Sequence, residues 1–301
     1  MKLSRFVWTC AIAPVWIVSQ SAYCQMPPVS APVWMERGKA ELKRAFFADA
    51  ETDFRNAIAL EPDNAKAYTL LARALIGQLF PNVSMFPDTQ GLLPKAEEAI
   101  THALALSPED SEALCVEGIV NYKFALMRRD PKEMALRLNE AKAAYDHALR
   151  VDPNSIEAHC ELARMVVDMA SMAFIRARSE SRIKVGPPGP IVPIETRRML
   201  QGRYASSVED AMAHARRALE IDPQSVEGMN QLGGVFHTRA YLRDNDTDFA
   251  ADMEAGNKWQ NQAMAIRRRT TPETGLPAGF GAVLGALPTK APPPPAAAKQ
   301  P

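Results

Sequence analysis

The sequence predicts an all-α fold, a right-handed superhelix of about five helix-turn-helix hairpins with inserted loops. Two observations predict it. The phrase Ala-x-x-x-x-Pro recurs four times, at Ala57 to Pro62, Ala103 to Pro108, Ala148 to Pro153 and Ala218 to Pro223. After each proline come a short polar run and then a new apolar run, so each copy ends one helix and starts another. The 301-residue chain is 47% hydrophobic with 35 basic and 35 acidic residues, so it can bury a core and lacks the charge excess of a polyanion binder. No nucleic-acid partner is expected.

The N-terminus has a different character. Lys2 and Arg5 precede the apolar run Phe6 to Val18, and small residues lead to Ala22 and Cys24. This is the layout of a secretory signal over residues 1–24, cut after Cys24. A membrane anchor competes, but spanning a bilayer takes about 20 apolar residues, and this run is shorter and holds Pro14. A third reading makes Cys24 a lipidated first residue, with peripheral membrane association, although bulky Tyr23 precedes it. Export would permit a disulfide between Cys115 and Cys160. Both lie at the same place in successive hairpins, where helices about 8–10 Å apart exceed the ~7 Å limit between bridged Cα atoms. Two small apolar residues on helices is the competing and simpler reading.

Residues 25–30 form a linker, and the repeating region runs over 31–270. Its first unit, Ala31 to Asn64, carries Trp34, Gly38, Ala50, Phe54, Ala57 and Pro62. Gly38 and Ala50 let two helices cross closely, Trp34 and Phe54 fill the space between them, and Ala57 leaves room for the next hairpin. These six residues match the spacing of the tetratricopeptide (TPR) repeat, which the unit therefore resembles. Later units are recognisable by Tyr68, Ala72, Ala96 and Ala103, by Gly118, Ala141, Tyr145 and Ala148, and by Leu162, Ala163, Ala211, Ala215 and Ala218. A fifth begins with Met229, Leu232 and Gly233, and its partner helix carries Ala255 and Trp259 without a closing proline.

The repeat prolines are 46, 45 and 70 residues apart, against about 34 in an uninterrupted array. The excess falls between the two helices of a hairpin, as insertions near 80–91, 127–137 and 171–206. The first is an apolar loop, and the second is charged and can lengthen its helices through Asp130-Pro131. The third contains Gly186-Pro187-Pro188-Gly189-Pro190, which no helix accommodates. It also holds a basic patch of Arg176, Arg178, Arg182, Lys184, Arg197, Arg198 and Arg203. That patch reads either as a solvated loop or as a docking surface for an acidic partner. Residues 271–301 are a Gly/Pro/Ala-rich tail expected to be disordered.

The resemblance implies a protein-binding scaffold whose ligand lies on the concave side, along the first helices. Carried over one position at a time, it places Met35, Lys39, Leu42 and Lys43 of the first unit there, then Arg73 and Ile76 of the second. Tyr122 and Lys123 follow from the third, Arg164 and Asp168 from the fourth and Asn230 from the fifth. Basic side chains alternate with apolar ones, which suits an acidic peptide or a C-terminal carboxylate. A subclass of the family clamps chaperone carboxylates through Lys and Asn where this chain has Met35 and Lys39, a departure that argues against a chaperone adaptor.

No catalytic or metal-binding constellation outweighs a structural reading, so no catalytic residue, metal or cofactor is expected. His102 and His147 share a repeat position with Asn56 and Arg217, as a solvated helix face would. His159, Cys160 and Glu161 are ligand types, but helical neighbours point about 100° apart and cannot converge on one ion. The function expected is an exported scaffold in a periplasmic or envelope assembly, or in the extracellular space. The alternative is an accessory, T-component-like subunit of a solute transporter that binds a small molecule or a solute-binding protein. An enzyme built from scattered side chains is the third reading.

Overall fold

The repeat prolines end helices as expected, and the polar runs behind them begin new ones. In the computed structural model, which describes residues 30–79, 91–180, 189–190 and 193–270, residues Glu61, Ser107, Asp152 and Asp222 before the four prolines leave the helical region of backbone space. The polar runs end on capping residues. Asn64 Oδ1 accepts from the Ala67 N–H at 3.1 Å, Asp110 Oδ1 from Ala113 at 3.2 Å, and Ser225 Oγ from Gly228 at 3.1 Å. Each cap satisfies a backbone donor that the first helical turn leaves open.

Ten helices result among the described residues, in five antiparallel pairs. They are α1 (Ala31–Lys43) with α2 (Phe47–Leu60), α3 (Ala65–Gly77) with α4 (Leu92–Leu106), α5 (Ser111–Met127) with α6 (Pro131–Val151), α7 (Ile156–Glu180) with α8 (Ile194–Ile221), and α9 (Val226–Ala240) with α10 (Asp246–Thr270). Every second helix packs on the following first helix. Successive first helices also touch one another along α1, α3, α5, α7 and α9, whereas α2, α4, α6, α8 and α10 make no such contacts. The first helices therefore form the closed inner side of the stack, and clefts open between second helices on the outer side.

Close crossing within a hairpin needs a small residue on the first helix, and Gly38, Ala72, Gly118, Ala163 and Gly233 supply it in turn, all buried. A Cβ on Gly38 would lie 2.7 Å from Phe54 Cε1, and one on Gly118 would overlap the ring of Tyr145. Ala50, Ala96, Ala141 and Ala211 are buried on the second helices. The last hairpin shifts by one residue. The sequence suggests Ala255 and Trp259 as the partners on α10, but Gly233 approaches Gly256, whose carbonyl oxygen would be 3.0 Å from an added Cβ. Glycine against glycine lets α9 and α10 approach without the aromatic wedge of the earlier units.

The insertions are less loop-like than expected. Residues 127–137 only lengthen a hairpin: α5 ends at Met127, and α6 starts at Pro131 with Asp130 accepting from Lys132 N–H at 3.0 Å. Residues 171–180 continue α7, and 194–206 belong to α8, so most of the third insertion is a helical extension and not a loop. Phe174, Ala177, Leu200, Tyr204 and Val208 recur at helical spacing and bury against Leu242, which explains why helix continues there. Of the proline-rich run, Gly189 and Pro190 are described, and they lie between α7 and α8. The signal region 1–24, residues 25–29, 80–90, Gly186 to Pro188 and the tail 271–301 lie outside the described residues. Among those described, no helix is long and apolar enough to cross a membrane.

Two glycines separate close crossing from helix propensity. Gly118→Ala lowers unfolding free energy in urea titrations by about 1–3 kcal/mol, because the buried Tyr145 ring has no space to retreat. Gly202→Ala, at an exposed α8 position with nothing within 4 Å, raises it by up to about 1 kcal/mol.

Candidate functional site

The inner face is built by one stripe of residues on α3, α5, α7 and α9. Its charges come from two recurring positions. Four residues after each repeat proline stand Lys66, Glu112, Glu157 and Glu227, and eleven after two of them stand Arg73 and Arg164. Stacking brings these into contact between hairpins. Arg73 Nε donates to Glu112 at 3.2 Å, and its Nη1 donates to Glu157 on the hairpin beyond at 2.6 Å. Lys66 also pairs with Glu112, and Arg164 bridges Glu227 on α9 and Glu161 on its own helix, the latter at 3.2 Å. The result is a ladder of charge-assisted hydrogen bonds linking four consecutive hairpins.

The polar cluster continues inward where α5 meets α7. The buried Tyr122 hydroxyl donates to Asp168 Oδ2 at 2.9 Å. Burial raises the Asp168 carboxyl above its usual range, with the Tyr122 hydrogen bond and Arg164 pulling the other way. Glu161 is 7% exposed, and burial pushes its carboxyl from 4.5 up to about 6 against the pull of Arg164. Lys123 is half-buried between these groups, and desolvation lowers its ammonium pKa. Among the described residues it has no ion-pair partner within 4 Å. Cys115 and Cys160 lie beneath the ladder as buried free thiols, and burial pushes Cys160 up to about 12. Neither thiol is poised as a nucleophile.

The structure sorts the expected groove residues into three kinds. Arg73 and Arg164 are committed to internal carboxylates. Leu42 and Ile76 pack against the N-terminal core, and Tyr122 is buried. Among the described residues Lys39 reaches only Glu36, one turn away at 2.8 Å, while Lys43 is exposed and Lys123 and Asn230 are half-buried. The basic side chains expected to alternate with apolar ones along the groove are thus compensated in part from within. The family's groove positions do not include the acids responsible, although their fixed offset from each repeat proline is a signal visible in the sequence. The basic patch disperses similarly. Arg197 is buried and pairs with Asp244 at 3.4 Å, Arg203 lies over the Tyr204 ring at 5.3 Å, and Arg178 is half-buried. Arg176 and Arg198 are exposed, and Arg182 and Lys184 lie outside the described residues.

His159, Cys160 and Glu161 diverge as helical geometry requires. His159 Nδ1 meets His214 Nδ1 at 2.9 Å, Cys160 faces the interior, and Glu161 meets Arg164. Among the described residues, no group of three or more His, Cys, Asp or Glu side chains is placed to hold a metal ion.

The buried carboxyl at Glu161 gives a signed pH effect. Its folded pKa of about 6 lies above the ordinary 4.5, so the folded state binds its proton more tightly and stability falls as pH rises between those values. Glu161→Gln flattens that limb in a Tm-against-pH series, with a gain at pH 7 of about 1–2 kcal/mol.

Comparison with known proteins bears on the fold. Residues 35–78 match the tetratricopeptide repeat family. No curated protein matches the chain. A thermophilic TPR protein of Thermus thermophilus is similar in structure, at 15% identity and a TM-score of 0.52, covering 80% of this chain and 96% of its own. MamA of Desulfovibrio magneticus has 13% identity and a TM-score of 0.41, covering 80% and 97%. YrrB, a TPR protein with an unusual peptide-binding site, has 12% identity and a TM-score of 0.40, covering 79% and 92%. The fold of this chain is an all-α solenoid of the tetratricopeptide-repeat type.

Proposed function

We propose that the chain is an exported scaffold whose inner face holds an extended segment of a partner protein. Lys123 is the observation that carries this reading. It is a half-buried inner-face cation without an ion pair among the described residues, in a row where Arg73 and Arg164 are both neutralised. A partner carboxylate placed over Lys123 would complete the row, with Asn230 and Lys43 offering donors toward the two ends. The acidic character expected of the partner is thereby narrowed to one contact. Export, and a place in a periplasmic or envelope assembly, is supported by the order of Lys2 and Arg5, the apolar run Phe6 to Val18, and Ala22 with Cys24.

A photo-reactive residue substituted at Asn230 crosslinks a partner polypeptide in intact cells, and Lys123→Glu lowers that capture about tenfold or more, the effect of losing one charge-assisted contact. Capture unchanged by Lys123→Glu rejects the inner-face reading. The transporter-accessory reading requires instead a Tm rise with small organic acids and none with peptides. Intact mass of the mature chain tests export, since cleavage after Cys24, retention of residues 1–24 and acylated Cys24 give three different masses.

A further inference from the structure

The outer side of the solenoid carries a polar cleft where the repeat calls for an apolar one. The residues nine positions after the repeat prolines are Leu71, Glu117, Leu162 and Leu232, and those thirteen after are Leu75, Asn121, Val166 and Phe236. Leu71, Leu162 and Leu232 are 6%, 4% and 3% exposed, as core positions facing the preceding hairpin. Only the third hairpin puts a carboxylate and an amide there, one helical turn apart on a single face of α5. The sequence thus breaks its own repeat at two adjacent core positions, and such breaks concentrate where a protein does something beyond folding.

The consequence is an open cleft of about 540 Å3 between α4 and α6, floored by Glu117, Val120 and Asn121 on α5. The matching cleft two hairpins on, about 350 Å3, is floored by Leu232 and Phe236 and walled by Leu219 and Trp259. In the polar cleft, Arg137 of α6 closes one end by donating to Glu97 at 3.0 Å, to Asn121 at 2.6 Å and to Glu140 at 3.2 Å. That satisfies Asn121 Oδ1 and commits the Arg137 guanidinium, while Arg150 of α6 also lines the wall. His147 lies on the wall and turns to Glu109 at 3.3 Å. Glu117 is half-buried and has no hydrogen-bond or ion-pair partner among the described residues. Burial raises its carboxyl above the usual range, opposed by His147 and reinforced by Glu140.

A half-buried carboxyl with no partner costs stability that leucine at the same position would avoid. We propose that this cleft is a second binding site, on the face opposite the inner groove, and that Glu117 receives an ammonium or guanidinium group there. The volume suits a small amine or one long basic side chain of a partner chain, and Ile100, Val120, Ala143 and Ala144 offer apolar contact to its methylene stem.

The test uses the full chain and isothermal titration with four probes: pentane-1,5-diamine, capped Ala-Lys-Ala, capped Ala-Arg-Ala, and capped Ala-Gln-Ala as the neutral control. At least one cationic probe binds with Kd of about 1 mM or tighter, and Glu117→Gln weakens it about tenfold or more. Binding of the diamine identifies a free amine as the ligand, and binding of the peptides alone identifies a side chain of a partner. Glu117→Leu, which restores the repeat residue, abolishes binding and raises Tm. The proposal fails if no cationic probe exceeds the neutral control, if Glu117→Gln, with unchanged circular dichroism, binds as the parent does, or if Glu117→Leu lowers Tm. Lys123→Glu leaves probe binding in the cleft unchanged, which keeps this site distinct from the inner groove.

Discussion

The close crossing of two helices within each hairpin sets everything else in this molecule. A buried glycine or alanine on every first helix, from Gly38 to Gly233, lets the second helix approach until ring or backbone meets it. At that separation a hairpin still exposes one apolar face, since two short helices cannot enclose a core alone, and the next hairpin must cover it. The core follows from this requirement as three successive clusters, over α1–α5, α5–α7 and α7–α9. So does the asymmetry of the stack, with first helices packed together on the inside and second helices apart on the outside.

Each side of that asymmetry carries its own chemistry. On the inside, helices close enough to exchange ion pairs between hairpins produce the ladder through Lys66, Glu112, Arg73, Glu157, Arg164 and Glu227. Half-buried charges of this kind are costly unless paired, and the repeat supplies pairing by placing an acid at a fixed offset in one unit and an arginine in the unit before. On the outside, the gap between second helices is normally sealed by apolar side chains of the first helix beneath. Glu117 and Asn121 leave that seal polar at one hairpin only.

The number of hairpins, their order and their boundaries were legible because proline and small-residue spacing act locally, through lost hydrogen bonds and steric room. The same logic misjudged residues 171–206, where a glycine-proline run suggested a loop for the whole insertion. Phe174, Ala177, Leu200 and Tyr204 had the spacing of buried helical faces, and they extend α7 and α8 up to the connection. It also misplaced the crossing on α10 by one residue, because without a closing proline nothing local fixes the register of that helix.

The candidate sites divide in the same way. The stripe expected to hold Arg73, Lys123, Arg164 and Asn230 rests on the resemblance to the tetratricopeptide repeat, carried over position by position. Whether their charges are open or satisfied depends on groups 39 to 84 residues away, as with Arg73 and its two carboxylates. Long-range pairing of that kind has no signature at the level of one repeat. By itself, then, the chain determined an array of helical hairpins and the period of its faces, through local sterics and hydrophobic spacing. The tertiary structure alone decided which polar groups are neutralised and which are left with an unmet partner, because that depends on where stacking brings distant side chains together.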